Sequence, residues 1–278
     1  MRICCLGDVH YHGGDFDYLV KDFTRGFAEV CRGVDAIVVV GDITSSGRLD
    51  YADDVLRAIK MALRDVGLLN TPILVVPGNH DIYLTREEME RGLDSLQKLS
   101  KFNSLVESAN CVALMEKPLK IGGSGFVGTI GWYDYSFAPQ WLKLPIDAYR
   151  KKVFGTTVWA DKEFVKLPFS DEEFVKMLLD KFEKQIREMY NSVDRIVVVM
   201  HHLPFRELVY YKHIPEWDYF STFMGSEAFG KVIKEYNNKI KLVLYGHSHN
   251  GIDTRTCKEV DNIKCCNCAS PKPTAIEV

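Results

Sequence analysis

Residues that can bind metal ions follow directly after five short apolar runs of this sequence. Each run is rich in small and β-branched residues, which is typical of a buried strand. The runs cover residues 3–6, 36–40, 73–76, 196–200 and 242–245. The polar residues after them are Asp8, His10, Asp42, Asn79, His80, Asp81, His201, His202, His247 and His249. Because ligands of open α/β sheets bind at the carboxyl ends of the strands, we expect these side chains to meet at one edge.

Seven of these residues form a candidate ligand set for two metal ions. They are Asp8, His10, Asp42, Asn79, His201, His247 and His249. The set is too large for one tetrahedral zinc ion, and it has none of the thiolates that structural zinc sites use. Carboxylate and imidazole ligands together suit Mn, Fe, Zn, Co or Ni. Since a carboxylate can bridge two ions and an imidazole ordinarily cannot, we expect an aspartate to be shared.

A pair of ions of this kind points to displacement at phosphorus. Two ions about 3.5–4 Å apart stabilise the attacking and the leaving oxygen, and they lower the pKa of a shared water until it is a nucleophile. The sequence therefore predicts a phosphoesterase that works by in-line attack of a bridging hydroxide. His247 and His249 support this prediction, because alternate residues of an extended segment face the same side.

The segments between the strands predict an α/β fold. Amphipathic patterns over residues 16–30 and 51–66 indicate crossover helices, hence right-handed βαβ units with parallel strands. Capping boxes at Thr85 and Ser170 predict the starts of two further helices, the first of which runs towards Val106.

The second half of the pattern differs from the first. Short strands are predicted at residues 111–115, 119–121 and 125–131 without helices between them, so we expect a more antiparallel arrangement and a two-sheet sandwich. The sequence has no linker or repeat, and we expect residues 1–278 to form a single domain.

Residues 132–169 form an aromatic segment without a regular period. Tryptophans and tyrosines alternate there irregularly with prolines and lysines. Two interpretations stay open, which are a cap or lid over the strand edge and an irregular insertion that fills a secondary core.

Composition and charge exclude several classes of protein. Of the 278 residues, 46% are hydrophobic and 26% charged, which is typical of a globular α/β protein. The formal charge of -3 gives no bulk electrostatic reason to expect nucleic-acid binding. We find no signal-peptide pattern and no apolar run of about 18 residues, so we expect a cytoplasmic protein without membrane contact.

The eight cysteines divide into two groups. Cys4, Cys5, Cys31 and Cys111 stand among apolar residues and are expected to be buried small hydrophobes. A second group near the C-terminal end consists of Cys257, Cys265, Cys266 and Cys268. It has no pair of C-x-x-C motifs, so a structural role is expected, with a thiol pair or an extra metal site as alternatives.

In the order and spacing of its motifs, this sequence resembles the calcineurin-like metallophosphoesterase superfamily. The motifs in this chain are Asp8-x-His10, Gly41-Asp42, Gly78-Asn79-His80-Asp81, His201 and Gly246-His247-Ser248-His249. The resemblance spans residues 1–250. It implies a four-layer α/β/β/α sandwich, in which helices flank two mixed β-sheets and a dinuclear metal site lies at the carboxyl ends of the strands.

The resemblance also implies a role for each motif residue. One ion would be held by Asp8, His10, Asp42 and His249, and the other by Asp42, Asn79, His201 and His247. His80 matches the residue that contacts the phosphate and protonates the leaving oxygen, and Asp81 would orient its ring. Of the neighbours His201 and His202, the first is expected to be the ligand, because the family pattern His-His-x-Pro places the ligand first.

Two details indicate the kind of relative. The protein Ser/Thr phosphatase pattern Asp-Arg-Gly is replaced by residues 43–45, Ile-Thr-Ser, while residues 126–134 resemble compact prokaryotic phosphohydrolases. We therefore expect hydrolysis of a small phosphodiester or phosphomonoester, nucleotide-like or of glycerophospho type. The alternatives are a nuclease of the same superfamily and a catalytically silent scaffold for protein interaction.

Overall fold

The computed structural model describes residues 1–249 and 256–278, which form thirteen strands and nine α-helices. The strands are β1 (Arg2–Leu6), β2 (Ala36–Val39), β3 (Ile73–Val75), β4 (Val112–Ala113), β5 (Leu119–Ile121), β6 (Ser124–Thr129), β7 (Val153–Phe154), β8 (Thr157–Val158), β9 (Arg195–Met200), β10 (Ile240–Tyr245), β11 (Cys257–Val260), β12 (Ile263–Asn267) and β13 (Thr274–Glu277). The helices are α1 (Phe16–Val30), α2 (Leu49–Asp65), α3 (Arg86–Glu90), α4 (Ser95–Ser108), α5 (Ile146–Arg150), α6 (Asp161–Phe164), α7 (Asp171–Tyr190), α8 (Pro215–Phe220) and α9 (Glu227–Glu235).

Most strands belong to two large mixed sheets. The first sheet has the order β13-β1-β2-β3-β4, with β1 to β4 parallel and β13 antiparallel. The second has the order β11-β12-β10-β9-β6-β5, with antiparallel strands at its two edges. The short β7 and β8 form a separate hairpin.

Three layers of apolar contacts join the sheets and the helices. Between the sheets, Val38 and Leu74 of the first pack in one cluster with Val197 and Leu244 of the second. The other face of the first sheet packs on α1, α2 and α4, and that of the second packs on α7 and α9. Burial of both sheet faces explains why most strands are continuously apolar. The order of layers is α/β/β/α, which confirms the predicted sandwich.

Two local predictions were wrong. The helix predicted from Thr85 towards Val106 is divided into α3 and α4, because Gly92 adopts a left-handed conformation (φ 72°) and Asp94 begins a new helix with its own capping box. Among the strands of residues 111–131, the expected antiparallel arrangement is limited to β5, since β4 is parallel to β3 and β6 is parallel to β9. Local sequence patterns do not specify which distant strand becomes the neighbour.

The aromatic segment 132–169 has a buried part and a part that lines a cavity. Trp132, Tyr133 and Tyr149 are almost completely buried in the cluster around α7. In contrast, Trp159 and Ala160 line a cavity beside the predicted metal ligands. The prediction that residues 1–278 form one domain, with 132–169 as its cap, stays a prediction.

Four cysteines form two disulfide bonds. Cys4 and Cys31 are buried, as expected, but they are bonded to each other, which the sequence analysis did not anticipate. Cys4 of β1 is bonded to Cys31, which follows α1, because the helix packs on that strand and brings the two Cα atoms to 5.7 Å. Cys257 and Cys266 are bonded across the antiparallel strands β11 and β12, which corresponds to one alternative left open by the sequence. The free cysteines are all buried, and they are Cys5, Cys111, Cys265 and Cys268.

Within the described ranges, every helix is too short or too polar to cross a membrane. Disulfide bonds are uncommon in a reducing cytosol, and the cytoplasmic location stays a prediction.

Candidate metal centre

The predicted site residues meet at the carboxyl ends of strands from both sheets. The chain continues the β1–β2 pairing past the strand ends, since the N–H groups of Asp8 and His10 donate to the carbonyls of Gly41 (2.9 Å) and Asp42 (2.9 Å). Likewise, the Gly246 N–H donates to the His201 carbonyl (3.1 Å) across β9 and β10. The sandwich thus places carboxylates from one sheet opposite imidazoles from the other.

The backbone at this edge is held in an uncommon conformation. Asp8, His10, Asp42 and His247 all have positive φ values, between 48° and 65°. Non-glycine residues rarely adopt this region, and such conformations concentrate at functional sites. Glycine is required at position 78, because a Cβ there would overlap the Asp42 carboxylate.

The first group of donors surrounds Asp8. The His249 Nε2 lies 2.7 Å from Asp8 Oδ1 and 3.1 Å from the His10 Nε2. His10 Nε2 in turn lies 3.7 Å from Asp42 Oδ2. Asp8 is buried, whereas His10 and His249 reach the surface of the pocket.

The second group surrounds the other side of Asp42. The His201 Nε2 lies 3.3 Å from Asp42 Oδ2 and 3.1 Å from Asn79 Oδ1. His201 Nδ1 donates to the Val40 carbonyl (2.8 Å), which leaves Nε2 unprotonated in the neutral ring and directed at these oxygens. Asp42, His201 and His247 bring their ligand atoms within 4.8 Å of one another.

The charges around Asp42 suit a cation. Burial alone would raise the pKa of Asp42, but the adjacent His201 and His80 rings hold that pKa well below its usual range. Burial opposes a charge on His201, yet the Asp42 carboxylate raises the pKa of His201 to about 9. Burial lowers the pKa of His247 well below its usual range, so this imidazole is neutral.

The residues present fit the metal ions that their pattern predicts. Within the described part of the chain, the buried Nε2 of His247 has no hydrogen-bond partner. A buried polar atom of this kind is costly unless something binds it, and a neutral imidazole beside an ionised carboxylate is a metal donor pair. A cation between these residues would therefore satisfy an atom that the protein itself leaves without a partner.

His80 lies at this site, but the predicted role of Asp81 was wrong. The His80 Nδ1 donates to the Ser45 carbonyl (2.9 Å), so Ser45 orients the ring. The Asp81 carboxylate instead accepts from the backbone N–H groups of Thr44 (3.0 Å) and Gly78 (2.9 Å). Burial and the nearby Asp42 raise the pKa of Asp81 to about 7. Asp81 therefore holds the loops after β2 and β3 together.

His202 is not among the grouped donor atoms, although its ring lies beside that of His247, with centroids 4.3 Å apart. Its Nδ1 donates to the Ile130 carbonyl (3.1 Å), and its ring packs on Trp132 with centroids 5.0 Å apart. Burial lowers the pKa of His202 to about 3, which keeps the ring neutral.

Asp161 contacts the candidate site through Asn79, and no sequence pattern indicates it. This fully buried carboxylate accepts hydrogen bonds from Asn79 Nδ2 (2.8 Å), Tyr83 (2.7 Å), Tyr133 (2.9 Å) and the Trp159 indole (2.8 Å). Asp161 begins a short helix in an aperiodic segment, so neither spacing nor strand position distinguishes it from other acidic residues.

Two adjoining cavities open at the centre. The smaller, of about 250 Å³, is lined by His10, Asp42, Asn79 and His80 among others. A larger cavity of about 700 Å³ lies beside it. Trp159, Ala160, His247 and His249 line both cavities.

A sandwich of this architecture, with clustered Asp, Asn and His residues at the strand ends, defines a class of metal-dependent hydrolases of phosphate esters. The family model described as calcineurin-like phosphoesterase matches residues 1–251. The chain belongs to this family.

Two relatives place the chain among known proteins. It is 32% identical over 104 residues to YydB of Bacillus subtilis, an uncharacterised metallophosphoesterase-like protein. That match covers 35% of this chain and 21% of YydB, so it spans about a fifth of the relative's length. The fold is similar to that of the phosphopantetheinyl hydrolase PptH from Mycobacterium tuberculosis, with a TM-score of 0.69 and 15% identity over 95% of this chain and 87% of PptH.

Proposed function

We propose that the chain hydrolyses a small phosphodiester or phosphomonoester with the help of two metal ions that share Asp42. The ligands of one ion would be Asp8, His10, Asp42 and His249, and those of the other would be Asp42, Asn79, His201 and His247. Mn, Fe, Zn, Co and Ni all suit these donors. The observation that carries the proposal is that the buried Asp42 carboxylate belongs to two groups of donors, one with His10 and His80 and one with His201 and His247. His10 also belongs to a third group, with Asp8 and His249.

The environment of Asp42 supports its role as the shared ligand. Its Oδ1 accepts the backbone N–H of His80 (2.9 Å), which fixes the carboxylate and turns Oδ2 towards His10 and His201. Asp161 performs a similar task for Asn79, because it accepts from the amide nitrogen and so leaves Oδ1 directed at His201. These contacts prepare the donors before any substrate arrives.

When bound, two ions of this kind polarise the phosphoryl oxygens and activate water for in-line attack. The chain's contribution to the departure of the alcohol is assigned to His80. Its Nδ1 proton is engaged by Ser45, so Nε2 is the atom that can carry a proton to the leaving oxygen. His80 also lines the smaller cavity, where the phosphate would lie.

Turnover of a generic diester by the metal-loaded protein tests this function. Purified protein is loaded with Mn, Fe, Zn, Co or Ni in turn, and the release of nitrophenolate from bis(p-nitrophenyl) phosphate is followed. We expect metal-dependent turnover that Asp42→Asn abolishes, together with a lower metal content, because both ions lose a ligand. The matched control Asp53→Asn changes a residue of α2 whose side chain is 40% exposed, and it should leave both quantities unchanged.

An Asp42→Asn variant that keeps full activity and full metal content would contradict the shared-ligand assignment. A protein that binds metal and hydrolyses none of the small phosphate esters would instead favour the scaffold alternative.

A further inference from the structure

The cavity of about 700 Å³ beside the metal centre is not needed to bind a phosphate group. Its volume lies within the range of about 300–1,000 Å³ that is usual for small-molecule sites. Trp159, Trp217, Tyr210 and Phe220 form much of its wall. Trp159 is held in place by stacking on Phe220, with ring centroids 6.0 Å apart, and by its bond to Asp161. The cavity therefore has an aromatic wall in which Trp159 is held by two contacts.

The position of this cavity separates it from the proposed acid. It reaches the metal centre at His247 and His249, whereas His80 lines only the smaller of the two cavities described above. If His80 protonates the leaving oxygen, the leaving alcohol departs on the His80 side. The larger cavity then faces a substituent that stays on the phosphorus when the alcohol leaves.

Apart from the proposed metal ions, the side chains that line the two cavities provide no excess of lysine and arginine over acidic residues. Among the described residues that line the smaller cavity, none is a lysine or an arginine. The larger cavity has Lys212 and Glu216, whose charges compensate each other, and the Lys212 ammonium lies over the Trp217 ring at 3.2 Å from its centroid. A monoester dianion would place one more charge here than a diester does. A neutral aromatic wall also offers nothing to the phosphates of a polynucleotide.

Building on the proposed function, we infer that the substrate is a phosphodiester whose retained ester group is bulky, apolar and ring-containing, and that the larger cavity binds this group. In the reaction, the bond between phosphorus and the leaving alcohol breaks, and an oxygen from water takes its place. The products are the free alcohol and the monoester that keeps the ring-containing group. Water supplies the new oxygen of the monoester and, through His80, the proton of the alcohol.

Three substrates with the same leaving group test this inference. They are 1-naphthyl p-nitrophenyl phosphate, methyl p-nitrophenyl phosphate and p-nitrophenyl phosphate, each assayed with the metal-loaded protein. Because nitrophenolate departs in every case, differences in kcat/KM report the retained group. We expect kcat/KM for the naphthyl diester to exceed that for the methyl diester about tenfold or more, with the monoester slowest.

Variants of two tryptophans connect the effect to the cavity. Trp217→Ala should lower the ratio of kcat/KM between naphthyl and methyl diesters at least about threefold, and Trp217→Phe should restore most of it. The control Trp141→Ala removes a tryptophan that lies outside the cavity and should keep the wild-type ratio.

The possible failures are distinguishable. A wild-type ratio near one, or a preference for the monoester, would overturn the inference and leave the proposed function intact. Absence of turnover with all three substrates and every metal would overturn the proposed function itself. Should Trp217→Ala fail to fold, the wild-type ratio and the Trp217→Phe variant still decide the question.

Discussion

Asp161 shows how a residue outside the proposed ligand set can determine its geometry. All four of its partners donate hydrogen bonds, so only a group that accepts without donating satisfies this buried position. One of these partners is Asn79, a proposed ligand, and another is Trp159, which lines both cavities. Asp161 thus connects the wall of the larger cavity to the proposed metal ligands.

Asp161→Asn should weaken metal binding about 10- to 100-fold, the usual effect of removing a partner of a metal ligand. The side-chain amide of the variant places its own N–H groups against the groups that donate to Asp161. Asn79 then loses the hydrogen bond that holds its side chain in place. A calorimetric titration with Mn measures the change in metal affinity directly.

The control for that variant is Asp171→Asn. Asp171 also accepts from a tryptophan and a tyrosine, Trp132 and Tyr135, but it contacts none of the proposed ligands. Equal losses of metal affinity in the two variants would show that general destabilisation, rather than the position of Asn79, is responsible.

His80→Gln tests the proposed acid. The variant should keep its metal content, because His80 is not among the proposed ligands, and it should lose turnover by about 10²- to 10⁴-fold for alkyl leaving groups. The loss should be much smaller for nitrophenolate, which departs without protonation. The measurement is kcat against leaving-group pKa, and equal losses for both kinds of leaving group would refute the assignment.

For single residues, the sequence predicted which side chains lie at the strand ends but not which hydrogen-bond partners they have. Asp8, Asp42 and His201 could be found because each follows a recognisable strand. The roles of Asp81 and Asp161 depend on which donors fold around a carboxylate, and those donors are distant in sequence. Asp81 was accordingly assigned to the wrong partner, and Asp161 was missed.

The helical elements after β3 are joined by a buried ion pair. The Lys98 ammonium of α4 lies 2.7 Å from both oxygens of Glu88 in α3, and the two side chains are 1% and 18% exposed. Glu88 also completes the capping box of α3 by accepting from Thr85. Burial opposes ionisation of Glu88, but Lys98 prevails and lowers the pKa of Glu88.

Glu88→Gln should lower the free energy of unfolding by about 2–3 kcal/mol at neutral pH, because it leaves the Lys98 ammonium buried without its counter-charge. Glutamine preserves the capping box, so the charge alone is tested. The control Glu90→Gln removes an exposed pair with Arg86 and should cost less than about 0.5 kcal/mol.

The pH dependence of this difference has a definite sign. Since the folded-state pKa of Glu88 is lowered, its stabilisation is present above the unfolded pKa, about 4.3 for glutamate, and is lost as the pH falls through the folded value. Urea unfolding should therefore show the gap between wild type and Glu88→Gln closing in acid. A gap that is constant down to pH 2 would contradict this account of the pair.

Element types were predictable wherever a local pattern specifies them. Capping boxes marked the starts of α3 and α7, and apolar runs marked the long strands. The break at Gly92 was missed although Gly92 and the capping box of Asp94 and Gln97 are local signals. The direction of β4 and β6 was not predictable, because it depends on pairing with distant strands.

In the whole molecule, the packing of the two sheets brings the proposed ligands together. The first sheet supplies Asp8, Asp42 and Asn79, while the second supplies His201 and His247. Neither sheet alone supplies all of the proposed carboxylate, amide and imidazole ligands. The packing of the two sheets therefore brings these ligands together. The sequence predicted this convergence, whereas the aromatic cavity required the structure, because irregular segments without a period make its walls.

Anomalous diffraction from crystals of the Mn-loaded protein tests the central claim most directly. The account predicts two peaks, one on each side of Asp42, the first next to Asp8 and the second next to Asn79. A single peak, or peaks away from Asp42, would contradict the shared-carboxylate centre on which the proposed chemistry depends.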